Sequence, residues 1–123
     1  MKRVLATACV TVLAIVLAAV PARAADMVMK ASWYGGKYDG RPMKGGGIFR
    51  KDDPTIVAAA SGSFRFGTRL RLTNPRNGRT LDVVVRDRGR FPSNHIDLSE
   101  AGARVLGFKE AGVAWLHVST IPE

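Results

Sequence analysis

The run Asn74-Pro75-Arg76-Asn77-Gly78 does most to limit what this chain can fold into. Pro75 fixes its φ at a turn value and Asn77-Gly78 tolerates a positive φ, so the chain reverses direction here. Before it, Gly67 to Thr73 alternates Thr68, Leu70 and Leu72 with Arg69, Arg71 and Thr73. That period of two marks a half-buried strand with a basic outer side. After it, Thr80 to Arg86 resumes β character, and the two flanks are predicted to pair as a hairpin.

The rest of the pattern agrees with an all-β domain. Val28 to Tyr34 reads as a first strand, turned by Gly35-Gly36, and a glycine-rich, poorly patterned loop runs from Lys37 to Pro54. Thr55 to Ala60 reads as a short buried strand, and Trp115 to Ile121 as a closing one. One helix interrupts them. Ser99 caps it, Glu100 suits its positive end, Ala101, Val105 and Leu106 supply an apolar stripe, and Gly107 stops it. Gly102 weakens this helix in isolation, so packing must hold it. The sum is a mainly β fold, a small barrel with one short helix.

Residues 1–24 read as an address. Lys2 and Arg3 precede an uncharged apolar run from Val4 to Val20, and Ala22-Arg23-Ala24 fits the small-x-small rule for signal peptidase, which predicts cleavage after Ala24. An uncleaved anchor is the alternative, against which the run is near the short end of the roughly 17–25 residues a spanning helix needs. Cys9, the only cysteine, lies too early for a lipoprotein cleavage site. The expected product is a periplasmic or secreted protein of residues 25–123, one domain with no cysteine, no disulfide and no stable membrane insertion.

The whole chain carries +9, of which the leader accounts for Lys2, Arg3 and Arg23, so the exported domain is left at +6. Export excludes nucleic acid as the expected partner and turns attention to anionic lipid, lipopolysaccharide and the carboxylates of peptidoglycan. Eight arginines fall between Arg65 and Arg90. Their planar forks suit bidentate contact with carboxylates, although a solvated basic face accounts equally well for any one of them.

The chemistry concentrates at Arg86-Asp87-Arg88-Gly89-Arg90-Phe91 and His95-Ile96-Asp97-Leu98-Ser99. Asp87 ends a β-branched strand and Asp97 follows ten positions later, so two acids near one strand end suit proton transfer in glycoside chemistry. Against this, Asp87 reads equally as an acceptor for backbone N–H groups. Asp97, just before the helix, reads as a ligand for the free N–H groups of its first turn. Arg86, Arg88 and Arg90 place positive charge beside Asp87; on a regular strand Arg86 and Arg88 project to the opposite face, which eases that conflict. His95 and His117, far apart and without cysteine, predict no metal site.

Ala31-Ser32-Trp33-Tyr34-Gly35, Gly40-Arg41, Ala59-Ala60, Phe66-Gly67-Thr68-Arg69-Leu70, Thr73-Asn74, Asp87-Arg88-Gly89, Phe91 and Ile96-Asp97-Leu98-Ser99 occur in order and near spacing across nearly the whole domain. In this the chain resembles the rare lipoprotein A-like family, related to expansins. The resemblance implies a six-stranded double-psi β-barrel. It also implies lytic transglycosylase action on peptidoglycan glycan strands, or expansin-like binding of wall polysaccharide without cleavage. A third possibility is a secreted protein that binds another protein.

By this resemblance Asp87 matches the family's catalytic aspartate, and His95-Ile96-Asp97 looks like the expansin His-Phe-Asp segment. The usual family Glu falls at Gly47 and the usual His at Ser61, so two polar site residues are absent. Asp52 or Asp53 is a candidate to replace the lost carboxylate. The predicted site therefore comprises Asp87 and Asp97 as catalytic acids, with Tyr34, Tyr38, Arg88, Arg90, His95, Ser61, Asp52 and Asp53 as substrate contacts. No cofactor is expected, and the protein is expected to be a monomer. Trp33 and Tyr34 face opposite sides of one strand, so at most one of them lines a groove; Tyr38, in the loop, is the freer sugar-stacking candidate.

Overall fold

The computed structural model describes residues 26–60 and 63–122. The predicted leader and Ser61 lie outside these residues. In chain order the elements are β1 (Met27–Tyr34), a single 3₁₀ turn (Gly36–Tyr38), β2 (Ile56–Ala60), β3 (Arg69–Thr73), β4 (Thr80–Gly89), β5 (His95–Ser99), α1 (Glu100–Leu106) and β6 (Ala114–Thr120). The strands close into a barrel in the order β1-β5-β2-β4-β3-β6. Two pairs are parallel, β1 with β5 and β2 with β4; the others are antiparallel. This is the six-stranded mainly β barrel with one short helix expected from the sequence.

Alternation builds the interior. Met29 and Ala31, Val57 and Ala59, Leu70 and Leu72, Val83 and Val85, Ile96 and Leu98, and Leu116 and Val118 all enter one core. Ala103, Leu106 and Phe108 close it at the helix. Each large side chain fully withdrawn from water contributes about 1.5–3 kcal/mol, which is how the domain holds without a cross-link. Outside the barrel, Arg71 forks onto its cross-strand partner Asp82 at 2.8 and 2.9 Å.

The hairpin forms as predicted, with Leu70 opposite Val83 and Leu72 opposite Leu81. Its turn is also fastened to the helix: Asn74 Nδ2 and Asn77 Nδ2 both donate to Leu106 O, at 2.8 and 3.0 Å. Those bonds satisfy a carbonyl that the end of a helix leaves free. Ser99 Oγ accepts from Gly102 N at 3.0 Å, and Gly107 takes the left-handed conformation at φ 79, as the two cap signals predict.

Three features depart from the sequence reading. His95–Ser99 is a full strand, not a lead-in to the helix, and it fills the space between β1 and β2. The long loop after β1 has structure of its own: Pro42 bridges Ile48, and Met43, Phe49 and Ile56 form a second small core against Tyr34. Strand β4 continues to Gly89 and holds one extra residue, since Val57 pairs with Val85 while Ala58 pairs with Asp87. Arg86 is the bulge. A bulge shifts the parity of the strand beyond it, and that shift shapes the site.

Candidate active site

The bulge at Arg86 sets Asp87 opposite Ala58, whose neighbour on its other side is Asp97. Paired residues of adjacent strands share a face, and Val57 and Ala59 face the core, so Asp87, Ala58 and Asp97 face away from it. Asp97 pairs in turn with Ser32 on β1. The result is one outward row, Asp87–Ala58–Asp97–Ser32, crossing four strands. Alanine is the side chain that lets two carboxyl groups share the space above it.

A groove of about 220 Å³ lies over this row, lined by Tyr34, Tyr38, Ala58, Asp87, Arg88, Gly89, Phe91 and Asp97. It brings together five of the predicted site residues, and Phe91 sets its ring 5.0 Å from that of a sixth, His95. The loop core explains how the aromatics are held. Tyr34 stacks on Phe49 at 4.3 Å and meets Tyr38 edge-on at 5.5 Å, while Trp33 turns inward and donates to Lys109 O at 3.0 Å. Of the Trp33–Tyr34 pair, Tyr34 is therefore the groove residue.

The two carboxyl groups have different surroundings. Asp87 accepts from Lys44 N at 3.1 Å, from Arg88 N at 3.0 Å and, at a long 3.4 Å, from the Tyr34 hydroxyl. Among the described residues Asp97 accepts from Ser32 Oγ at 2.8 Å, and burial raises its pKa above the ordinary carboxylate value despite that bond. Tyr34 is pushed well above the ordinary tyrosine range, first by burial and then by the charges of Asp87 and Asp97. It remains a phenol and therefore a donor. His95 Nε2 lies 2.8 Å from Ser32 Oγ, and burial together with Lys30 lowers its pKa.

Asp97 is not the helix cap: Ser99 takes that role, and Asp97 sits two residues earlier on a strand that turns it to the groove. Arg88 pairs with Ala59 and so leaves β4 on the face opposite Asp87. Its guanidinium stacks over Phe66 at 4.2 Å and donates to Phe64 O, and the residue still forms part of the groove wall. Its buried Nη1 finds no acceptor among the described residues. Arg90 is exposed just beyond β4.

Asp52 and Asp53 do not reach the groove. Asp53 accepts from Thr55 N and Oγ1 at 2.9 and 2.6 Å, closing a local turn, and lines a separate depression with Gly47 and Arg86. Asp52 is exposed and pairs with Lys51 at 3.4 Å. Gly47, at φ +85, suits glycine and lies in that same separate depression. Sequence reasoning did not single out Ser32 or the Lys44 amide. Ser32 was visible only as part of the Ser-Trp-Tyr-Gly run. Among the described residues no three His, Cys, Asp or Glu side chains converge so as to hold a metal ion, and no helix is long and apolar enough to cross a membrane.

The family described as Lytic transglycolase matches residues 26–118. Among curated proteins, the endolytic peptidoglycan transglycosylase RlpA of Neisseria meningitidis serogroup A is 39% identical over 92 residues, covering 74% of this chain and 37% of the relative. The probable endolytic peptidoglycan transglycosylase RlpA of Nostoc sp. is 44% identical over 94 residues, covering 74% and 24%. The RlpA of Pseudomonas aeruginosa strain PAO1 is 41% identical over 101 residues, covering 81% and 29%. The chain thus spans about a third of these relatives' length or less. Among solved structures, the apo expansin of Clavibacter michiganensis aligns with TM-score 0.66 at 25% identity, covering 80% of this chain and 52% of that one. The Streptomyces papain inhibitor aligns with TM-score 0.67 at 22% identity, covering 81% and 97%, a likeness of fold alone.

Proposed function

The chain belongs to the lytic transglycolase family of double-psi β-barrels, and from that membership we propose that it is an exported enzyme cleaving the glycan strands of peptidoglycan. The working unit is residues 25–123, delivered to the periplasm or beyond by the leader at 1–24. The observation that carries this reading is the pair of unlike carboxyl groups, Asp87 and Asp97, on either side of Ala58 in one groove.

Two strand spacings, roughly 10 Å between backbones, leave room for a sugar ring between the carboxyl groups. Lytic cleavage needs one proton delivered to the glycosidic oxygen and one removed from the sugar's 6-hydroxyl. Asp97, whose pKa burial raises, suits the first task and gives its proton to the departing oxygen as the C1–O bond breaks. Asp87 suits the second. Its oxygens already act as acceptors for three donors, and it takes the 6-hydroxyl proton as that oxygen closes onto C1. The product is an anhydro sugar end formed without water. Tyr34 holds Asp87 in place, Tyr38 offers a ring face to a pyranose, and Arg88 and Arg90 supply positive charge for the strand's carboxylates.

Glycine at position 47 and serine at 61, where the family usually has Glu and His, favour a second reading, a wall-binding module without turnover. The deciding experiment incubates the protein with intact and stem-peptide-free peptidoglycan and searches the products by mass spectrometry for anhydromuramyl ends. New ends that vanish in both Asp87→Asn and Asp97→Asn support cleavage. Sedimentation with the glycan and no new ends from either substrate supports the binding module.

A further inference from the structure

Ser32 Oγ stands 2.8 Å from His95 Nε2 and 2.8 Å from Asp97 Oδ1, joining two titratable side chains that do not otherwise pair. The parallel pairing of β1 with β5 builds this, since it sets Lys30 beside His95 and Ser32 beside Asp97 on the face turned from the core. A hydroxyl has one proton to give. With that proton directed at Asp97, the short contact on its other side requires His95 Nε2–H to donate.

We propose that His95 and Ser32 are positioning residues that set the proton on Asp97, passing it between imidazole and carboxyl by reversal of the Ser32 hydroxyl. The inference rests on the proposed use of Asp97 as the acid. In the transfer the imidazolium Nε2–H bond breaks as that proton moves to Ser32 Oγ. The Ser32 O–H proton moves to Asp97 Oδ1. A neutral imidazole protonated at Nδ1 and a neutral carboxyl result, with the summed charge unchanged. The carboxyl then donates to Ser32, Ser32 donates to Nε2, and Asp97 is loaded for the glycosidic oxygen.

The surroundings bring the two ends of the relay together. Burial and Lys30 lower the pKa of His95 from the ordinary 6.5, and burial raises that of Asp97 from 3.8, so the proton is shared on more equal terms. The other charged or titratable groups facing the relay are Tyr34 on β1 and Asp87 and Arg88 across the groove on β4. Strand β2 sets Ala58 beside Asp97, β6 sets Trp115 beside Lys30, and the Phe91 ring covers the imidazole.

The test follows the His95 ring nitrogens by ¹⁵N NMR through an acid titration of the intact protein. In the wild type Nε2 is expected to change from protonated donor to acceptor as the first proton is taken up, with the proton now on Nδ1. Ser32→Ala should abolish this tautomer switch, Ser32→Thr should keep it, and Asp97→Asn should remove it. On peptidoglycan, Ser32→Ala should slow the formation of anhydro ends about tenfold, with Ser32→Thr restoring the rate. A wild-type His95 that keeps one tautomer throughout, or a switch that survives Ser32→Ala, overturns the relay. Failure of the wild type to form anhydro ends at any pH overturns the cleavage reading instead, and the NMR result still decides the relay.

Discussion

Asp87 and Asp97 look at each other across Ala58, an arrangement that depends on one supernumerary residue, Arg86, in β4. Were β4 regular beyond Val85, Ala58 would pair with Arg86, and Asp87 would stand beside Ala59, whose side chain enters the core. The bulge turns a carboxylate that alternation would bury into the wall of a groove. Arg86 itself is left to a neighbouring depression, while Arg88, beside Ala59, forms part of the groove wall.

Asp97→Asn is expected to cost activity while relieving stability. The raised folded pKa means the native carboxyl binds its proton more tightly than the unfolded chain does, so the wild type gains stability as pH falls through the folded pKa. The gain is complete below the unfolded value of 3.8. The amide has no charge to bury and can still accept from Ser32. Urea midpoints should therefore favour Asp97→Asn most at neutral pH, with the difference shrinking on acidification. A difference constant from pH 7 to pH 3 would contradict this.

Tyr38 and Tyr34 should separate binding from folding. Tyr38 is 39% exposed, so Tyr38→Ala should weaken sedimentation with glycan by ~0.5–1.5 kcal/mol, roughly two- to tenfold in affinity, with little change in melting temperature. Tyr34 stacks on Phe49 and seals the loop core. Tyr34→Ala should lower both binding and stability, the latter by about 3 kcal/mol or more.

The sequence disclosed what local chemistry determines. Asn77-Gly78, Ser99 and Gly107 act on their own neighbours, and Leu70 and Leu72 alternate with arginines, so the hairpin, the caps and a basic strand were legible. Ile96 and Leu98 alternate too, but five residues beside a helix cap become a strand only because β1 and β2 flank them. The role of Ser32 depends on partners 63 and 65 positions away, and the bulge depends on register against β2. Met43, Phe49 and Ile56 follow neither period, which hid the small core that carries Tyr34.

Ser99→Ala should destabilise the junction of β5 and α1. Its hydroxyl accepts from Gly102 N and donates to Asp53 O at 2.6 Å, and the residue is fully buried. Alanine removes the cap and strands a carbonyl partner, for a combined loss of about 2–3 kcal/mol. Chemical denaturation measures it. A loss of similar size in Asp97→Asn, and none in Ser99→Ala, would return the capping role to Asp97.

Gly45→Ala should damage the groove from behind. A Cβ there would lie 2.6 Å from the Arg86 carbonyl oxygen and 2.5 Å from Phe66 Cδ1, so backbone must move. Gly45 N donates to Arg86 O at 2.7 Å, the bond that ties the loop to the bulge, and the adjacent Lys44 N holds Asp87. Phe66 in turn supports the Arg88 guanidinium. Overpacking of this kind costs about 1–3 kcal/mol, and here it also displaces two groove residues. Gly46→Ala is the control: its φ of +106 makes alanine strained, yet nothing lies within 4 Å of the added carbon. Gly46→Ala should lose about 1–2 kcal/mol of stability from the left-handed backbone and keep its glycan binding, whereas Gly45→Ala should lose both. Equal loss of binding in the two variants, compared at matched stability in urea, would show that the Gly45–Arg86 contact does not govern Asp87.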